Sequence, residues 1–170
     1  ILPDNLAKGS RSVVAREGSA WLFRYRGPDG VLEYRYTPSS GTLGDVAAQW
    51  AGRGAAFRPM VDGGVWLAGP KGPARAEKAE LRECRREGDT VVSRWLLFAP
   101  GTRAEVSYTF RLWGKSLVVD VKCLGGAAAE VRLGRAAGAE QPRLVNVPYL
   151  TFGSSRPAVL VAGPARRTLF

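Results

Sequence analysis

The chain has 170 residues, a length that fits a single domain with a well-buried core. Hydrophobic residues make up 45% of the chain, which excludes intrinsic disorder, and the net charge of +10 corresponds to a pI near 10.3. Because the sequence contains no histidine, Ser-His-Asp and Cys-His nucleophile systems, histidine metal sites and histidine acid–base catalysis are excluded.

The first predicted elements are a strand at Ser12–Arg16 and a hairpin over Ser19–Thr37. The two β-rich runs of the hairpin flank Gly27-Pro28-Asp29-Gly30, which has the proline and glycine positions of a four-residue turn. This loop predicts one aromatic face and one largely charged face. The expected pairs are Trp21–Tyr36, Phe23–Tyr34 and Tyr25–Leu32 on the aromatic face, and Arg24–Glu33 and Leu22–Arg35 on the charged face.

The segment Ala74–Glu87 consists largely of helix-forming residues, yet its apolar residues are too few to give a helix a buried stripe and do not alternate cleanly either. We favour a strand, because Gly88-Asp89 is a hairpin turn that leads directly into the β-rich run Val91–Phe98. The strands predicted before this segment are Ala56–Val61 and Gly64–Ala68.

A second hairpin is predicted from Tyr108–Trp113 and Ser116–Cys123 around Gly114-Lys115, with Val91–Phe98 beside it in a meander. Its expected inward pairs are Leu112–Leu117, Phe110–Val119 and Tyr108–Val121, and its outward residues are Thr109, Arg111, Asp120 and Lys122. The last predicted strands are Ala129–Gly134, Arg143–Val147 and Ala158–Ala162.

Ten or more short strands with Gly and Pro between them are typical of a sandwich or barrel. The sequence therefore predicts one all-β domain over residues 1–170, an antiparallel β-sandwich with little helix. The start at Ile1 rather than Met, and the end at Phe170 soon after an apolar run, lead us to expect either that a segment was cleaved off or that the domain was cut from a longer protein.

The two cysteines, Cys84 and Cys123, are too far apart in sequence for a CxxC pair or a zinc knuckle, and either two buried thiols or one disulfide fits them. No stretch of about 18 apolar residues is present, so we expect no membrane-spanning helix. The glycines match no phosphate-binding or dinucleotide-binding motif, which leaves us expecting no cofactor and no metal.

The positive charge suggests nucleic acid, but its distribution does not favour it. Basic residues occur singly in most strands, and the one dense cluster, Arg82–Arg86, alternates with acids. The fifteen acidic residues fall in no recognisable nucleophile or acid motif, so no catalytic residue is predicted.

Carbohydrate binding requires flat apolar side chains for the sugar ring and polar or charged groups for its hydroxyls, held on loops of a rigid scaffold. Aromatic and charged residues near predicted turns meet this requirement best. The candidate carbohydrate-binding residues are Trp50, Arg58, Asp62, Trp66 and Tyr149.

Two phrases, Gly114–Val121 and Arg143–Gly153, resemble the galactose-mutarotase-like β-supersandwich domains that precede the catalytic barrel of large glycoside hydrolases. The resemblance implies a secreted or periplasmic enzyme in which a barrel of the same parent chain carries the catalytic carboxylates. Mutarotases use a catalytic histidine with a glutamate, and since this chain has no histidine, no catalytic residue of the family can be placed on it.

The leading hypothesis is therefore a noncatalytic domain that supports the barrel of a glycoside hydrolase and contacts glycan. A free-standing carbohydrate-binding or protein-interaction module is the alternative, and a basic nucleic-acid binder is the third hypothesis. The first two differ in whether a barrel follows in the parent gene, and the third predicts binding that weakens steeply with salt.

Overall fold

Antiparallel strands form nearly all of the regular structure in residues 9–50, 53–146 and 158–161, which are the residues described by the computed structural model. In these residues the structure has one 3₁₀ turn, Leu43–Asp45, and fifteen strands. The strands are β1 Arg11–Glu17, β2 Ala20–Gly27, β3 Gly30–Tyr36, β4 Val46–Trp50, β5 Arg53–Val61, β6 Gly64–Gly69, β7 Gly72–Ala74, β8 Lys78–Glu87, β9 Thr90–Ala99, β10 Thr102–Trp113, β11 Ser116–Cys123, β12 Ala128–Arg132, β13 Arg135–Ala137, β14 Arg143–Asn146 and β15 Ala158–Val161.

The strands are arranged in sheets that pack against each other as a sandwich. One sheet has the order β1-β2-β3-β4-β5-β13 and a second has the order β11-β10-β9-β8. A three-stranded sheet, β12-β6-β7, lies against β10, and β14 pairs with β15. The predicted all-β antiparallel sandwich with little helix is confirmed.

The first hairpin has the register predicted from its turn. Trp21 pairs with Tyr36, Phe23 with Tyr34 and Arg24 with Glu33, and the two strands meet at Gly27 and Gly30. The charged face departs from expectation at one position, because Leu22 is only 1% exposed. Its ladder partners are Ala15 and Arg35, so an apolar residue is covered on the face that was predicted to be largely charged.

The second sheet also follows the predicted order. Phe110 pairs with Val119 across the β10–β11 hairpin, and β9 pairs with β10 on its other side. The segment predicted as a strand against its helix propensity is β8. Its pairing with β9 shifts register between Leu81 and Glu83. This β-bulge adds one residue to the strand, which is the physical reason why its apolar and charged residues do not alternate cleanly.

Sequence patterns missed the short strands β4, β7 and β13 and shifted β12, which ends at Arg132 and leaves Gly134 in the connection to β13. Strands of three to five residues carry too few alternations to be recognised. Strands β14 and β15 lie where strands were expected, although Val147 and Ala162 fall outside the described residues.

The core lies between the two larger sheets and is rich in aromatic side chains. The Tyr36 and Phe110 rings pack with centroids 4.2 Å apart, and Phe23 lies 6.3 Å from Phe110. Both phenylalanines and Tyr108 are fully buried. At the rim, Asp29 in the β2–β3 turn pairs with Lys115 in the β10–β11 turn, and the hydrogen bond from Lys115 lowers the pKa of Asp29.

Three buried polar side chains satisfy one another inside this core. The Tyr36 hydroxyl bonds Ser93 Oγ at 2.8 Å, and Trp95 Nε1 donates to the same oxygen at 3.2 Å. Ser93 is 0% exposed, so no water can replace it as a partner. No buried side-chain nitrogen or oxygen among the described residues lacks a hydrogen-bond partner.

Both cysteines are free thiols in the structure. Cys84 lies on β8 and Cys123 on β11, the two edges of the four-stranded sheet. Three strand spacings of about 4.8 Å separate them by roughly 14 Å, whereas a disulfide requires Cα atoms within about 7 Å. The sequence left open two free thiols or one disulfide, and the structure therefore has two free thiols.

Replacing Ser93 should destabilise the sandwich, because its hydroxyl is a buried hydrogen-bond partner. In Ser93→Ala the Tyr36 hydroxyl and the Trp95 indole lose their buried partner, and we expect a loss of about 1–3 kcal/mol in the free energy of unfolding. Urea unfolding followed by tryptophan fluorescence measures this loss. Ser116→Ala, which changes an exposed serine, is the control, and its free energy of unfolding should stay within about 0.5 kcal/mol of that of the parent protein. Equal stability of the two variants would contradict a stabilising role of the buried hydrogen bonds to Ser93.

Titration of the unfolded protein with a thiol reagent, without reductant, should recover both cysteines. In the folded protein the reaction should be slower than that of free cysteine at the same pH, because burial raises the pKa of both the Cys84 and Cys123 thiols. Cys84→Ser should leave one reactive thiol. Recovery of no thiol before reduction would show a disulfide and contradict the observed strand order.

Candidate functional site

The candidate site begins at the turn between β5 and β6. Asp62 has φ +63°, a left-handed conformation that residues other than glycine seldom adopt, and Gly63 follows it. The Gly63 amide donates to Met60 O at 3.0 Å, and its carbonyl accepts from Leu43 N at 2.9 Å. Such a conformation, held in place by neighbouring backbone, is found more often at binding sites than elsewhere.

The connection between β12 and β13 passes directly over this turn. A Cβ atom on Gly134 would lie 2.2 Å from the Val61 carbonyl oxygen, and one on Gly63 would lie 2.5 Å from the Leu133 carbonyl oxygen. Only glycine allows two backbones to approach this closely. Since β12 pairs with β6 and β13 pairs with β5, the two connections stack and hold their side chains side by side.

An open depression of about 480 Å³ lies at this crossing. It combines apolar side chains with charged ones on a rigid β scaffold. The residues that line it are Val61, Asp62, Trp66, Arg132, Leu133, Gly134 and Arg135.

One wall of the depression is an arginine stacked on a tryptophan. The Arg132 guanidinium carbon lies 3.5 Å from the centroid of the Trp66 ring. Arg132 also donates from Nε to Glu130 at 2.6 Å, and Glu130 is the ladder partner of Trp66. The ring and the carboxylate together fix the plane of the guanidinium.

Asp62 contributes a second charged group to the lining. Its carboxylate binds Arg75 Nη1 at 2.9 Å and Arg135 Nε at 3.4 Å. Close by, Arg58 donates through Nε and Nη2 to Gly44 O at 3.1 and 2.5 Å, in the 3₁₀ turn that packs on β5. Asp62 is thus one acid shared between two arginines.

The structure brings three of the five predicted candidate residues to this region, because Asp62 and Trp66 line the depression and Arg58 lies beside the turn. Trp50 pairs with Arg53 at the far end of β5, roughly 26 Å from Val61 at about 3.3 Å per residue. Its ring packs over Gly30, where a Cβ would lie 2.9 Å from it. Tyr149 lies outside the described residues.

Sequence reasoning missed the arginines, which contribute most to the site. Arg132 and Arg135 come from β12 and β13, and they reach β6 and β5 through pairings across more than sixty residues that no local pattern reveals. The one available signal was the glycine in each connection, at Gly63 and Gly134, which marks a close approach of two backbones.

The acidic side chains at the site are paired with arginines. Asp62 pairs with Arg75 and Arg135, and Glu130 pairs with Arg132. No group of three or more acidic or cysteine side chains that could hold a metal ion occurs within the described ranges. In the same residues, no helix has the length and apolar character needed to cross a membrane.

No protein-family model, curated protein or solved structure matches this chain.

The crossing of the two connections can be tested at Gly134. Gly134→Ala places a methyl group onto the Val61 carbonyl, whereas Gly126→Ala meets nothing within 4 Å although its φ, +68°, is also positive. Both variants incur the left-handed penalty of about 1–2 kcal/mol, and Gly134→Ala should lose a further 1–3 kcal/mol or so in the free energy of unfolding. Equal losses in chemical denaturation would argue against the close approach.

Proposed function

We propose that this chain is a noncatalytic β-sandwich domain of a secreted or periplasmic carbohydrate-active enzyme, similar to the galactose-mutarotase-like supersandwich domains. It binds glycan at the depression beside Trp66, and a catalytic barrel in the same parent chain cleaves the glycosidic bond. The observation that carries the proposal is the depression itself, in which an aromatic side chain, two aliphatic side chains and fixed charged groups converge.

The apolar part of the depression suits the C–H face of a sugar ring. Leu133 is 76% exposed and Val61 lies beside it, so a ring placed there would cover apolar surface that water now contacts. Exposed apolar side chains next to polar ones at a concave position are common in ligand sites.

The charged part suits the hydroxyl groups. Arg132 and Arg135 offer N–H donors in the lining of the depression, and Asp62 offers carboxylate oxygens. Hydrogen bonds that involve a charged partner are about twice as strong as neutral ones, so a few of them orient a sugar. The supporting strands hold these groups without a change of backbone conformation.

The surface charges outside the depression do not favour nucleic acid. Arg24 pairs with Glu33, and Arg85 lies between Glu83 and Glu87, so these cations already have acidic partners. A surface that binds phosphates needs cations free to replace counterions. The ion pairs therefore support the glycan proposal over the basic nucleic-acid binder.

Binding should depend on Trp66 and not on Trp50. Trp66→Ala removes the ring that supports Arg132, and we expect at least a tenfold loss of affinity for an oligosaccharide that the parent protein binds, measured by calorimetry against a glycan panel. Trp50→Ala removes an aromatic side chain of the same type at the other end of β5 and should keep the affinity. Absence of binding to every glycan, or equal losses in the two folded variants, would contradict the proposal.

A further inference from the structure

We infer that the glycan bound at this site is acidic, and that it carries carboxylate or sulfate groups recognised by Arg132 and Arg135. The inference rests on the proposed function and names the class of sugar. Both groups are small oxyanions with several oxygens in a fixed arrangement, which the guanidinium fork matches better than any other side chain.

The charge balance around the depression favours an anion. Among the charged side chains that line it, Arg132 and Arg135 oppose Asp62. Their ion-pair partners outside the lining, Arg75 and Glu130, cancel each other, so these five groups leave a net charge of +1. A neutral sugar would not satisfy this excess, whereas one carboxylate or sulfate would balance it.

Arg135 has most of its donors available. It contacts Asp62 only through Nε, its side chain is 72% exposed, and no other partner of its guanidinium is found among the described residues. The two terminal nitrogens have no described partner, so they can donate to a bidentate oxyanion.

Arg132 is held in the complementary way. Trp66 fixes the plane of its guanidinium, and Glu130 accepts from Nε and Nη2. The remaining nitrogen, Nη1, is free of described partners. Because Arg132 and Arg135 line the same depression, an acidic sugar can contact both while its ring lies against the apolar side chains.

The stacking of Arg132 also counts against a neutral sugar. The guanidinium covers one face of the Trp66 ring, so a sugar that stacked on this face would first have to displace it and break its bonds to Glu130. An acidic sugar requires no such displacement, because it binds to the guanidinium where the guanidinium already lies. The arrangement is preorganised for a charged ligand.

The test compares four probes of similar length by calorimetry on the full chain. They are an oligogalacturonate, the same oligosaccharide with every carboxylate methyl-esterified, a sulfated oligogalactan and a single-stranded oligonucleotide. We expect the oligogalacturonate or the sulfated probe to bind at least tenfold more tightly than the ester. In Arg135→Gln this advantage should fall at least tenfold, because the affinity for the acidic probe should fall much further than the affinity for the ester.

Arg103→Gln is the matched control, because it removes one exposed arginine from β10, away from the depression, and lowers the net charge equally. Equal effects of Arg103→Gln and Arg135→Gln would overturn the inference, since they would indicate general attraction only. An ester that binds as tightly as the acid would overturn the inference and leave glycan binding intact. Binding to no saccharide would overturn the proposed function as well, and tightest binding to the oligonucleotide would replace both with a nucleic-acid site.

Discussion

The burial of Tyr108 is the interaction on which the rest of the structure depends. Its hydroxyl lies in the core, where it donates to Gly41 O at 3.2 Å and accepts from Val65 N at 3.1 Å. Desolvation raises the pKa of Tyr108 to about 12, so the hydroxyl keeps its proton and both bonds. One side chain of β10 therefore fixes the loop before the 3₁₀ turn and the start of β6 at the same time.

The candidate site follows directly from this anchor. The Val65 backbone N–H donates to Tyr108, and the Val65 side chain is buried in the core. Because side chains alternate along a strand, Trp66 points to the other face of β6. There it supports Arg132 and lines the depression. The buried tyrosine and the surface arginine are thus linked through two consecutive residues, Val65 and Trp66, so the tryptophan that supports Arg132 lies next to a core residue.

Charge has two different roles on this surface. Along β8, an edge strand, alternating acids and bases pair with one another, and such charges discourage the edge from pairing with another chain. At the depression the arginines outnumber the acids, so the positive charge there is only partly balanced. The net charge of +10 is therefore a poor guide to function by itself, whereas its uneven local balance is informative.

The sequence by itself determined the strands with clear alternation and the two hairpins with their register, because a turn and the residues on either side of it are local. It also determined that histidine chemistry is absent. Only the tertiary structure decided that β12 pairs with β6 and that β13 pairs with β5. These pairings bring Arg132 to Trp66 and Arg135 to Asp62. The tertiary structure also decided that Cys84 and Cys123 lie on opposite edges of one sheet. Those contacts join residues far apart in the chain, and they depend on which sheet edges come together. Hydrophobic periodicity identifies strands but does not specify how their sheets are assembled.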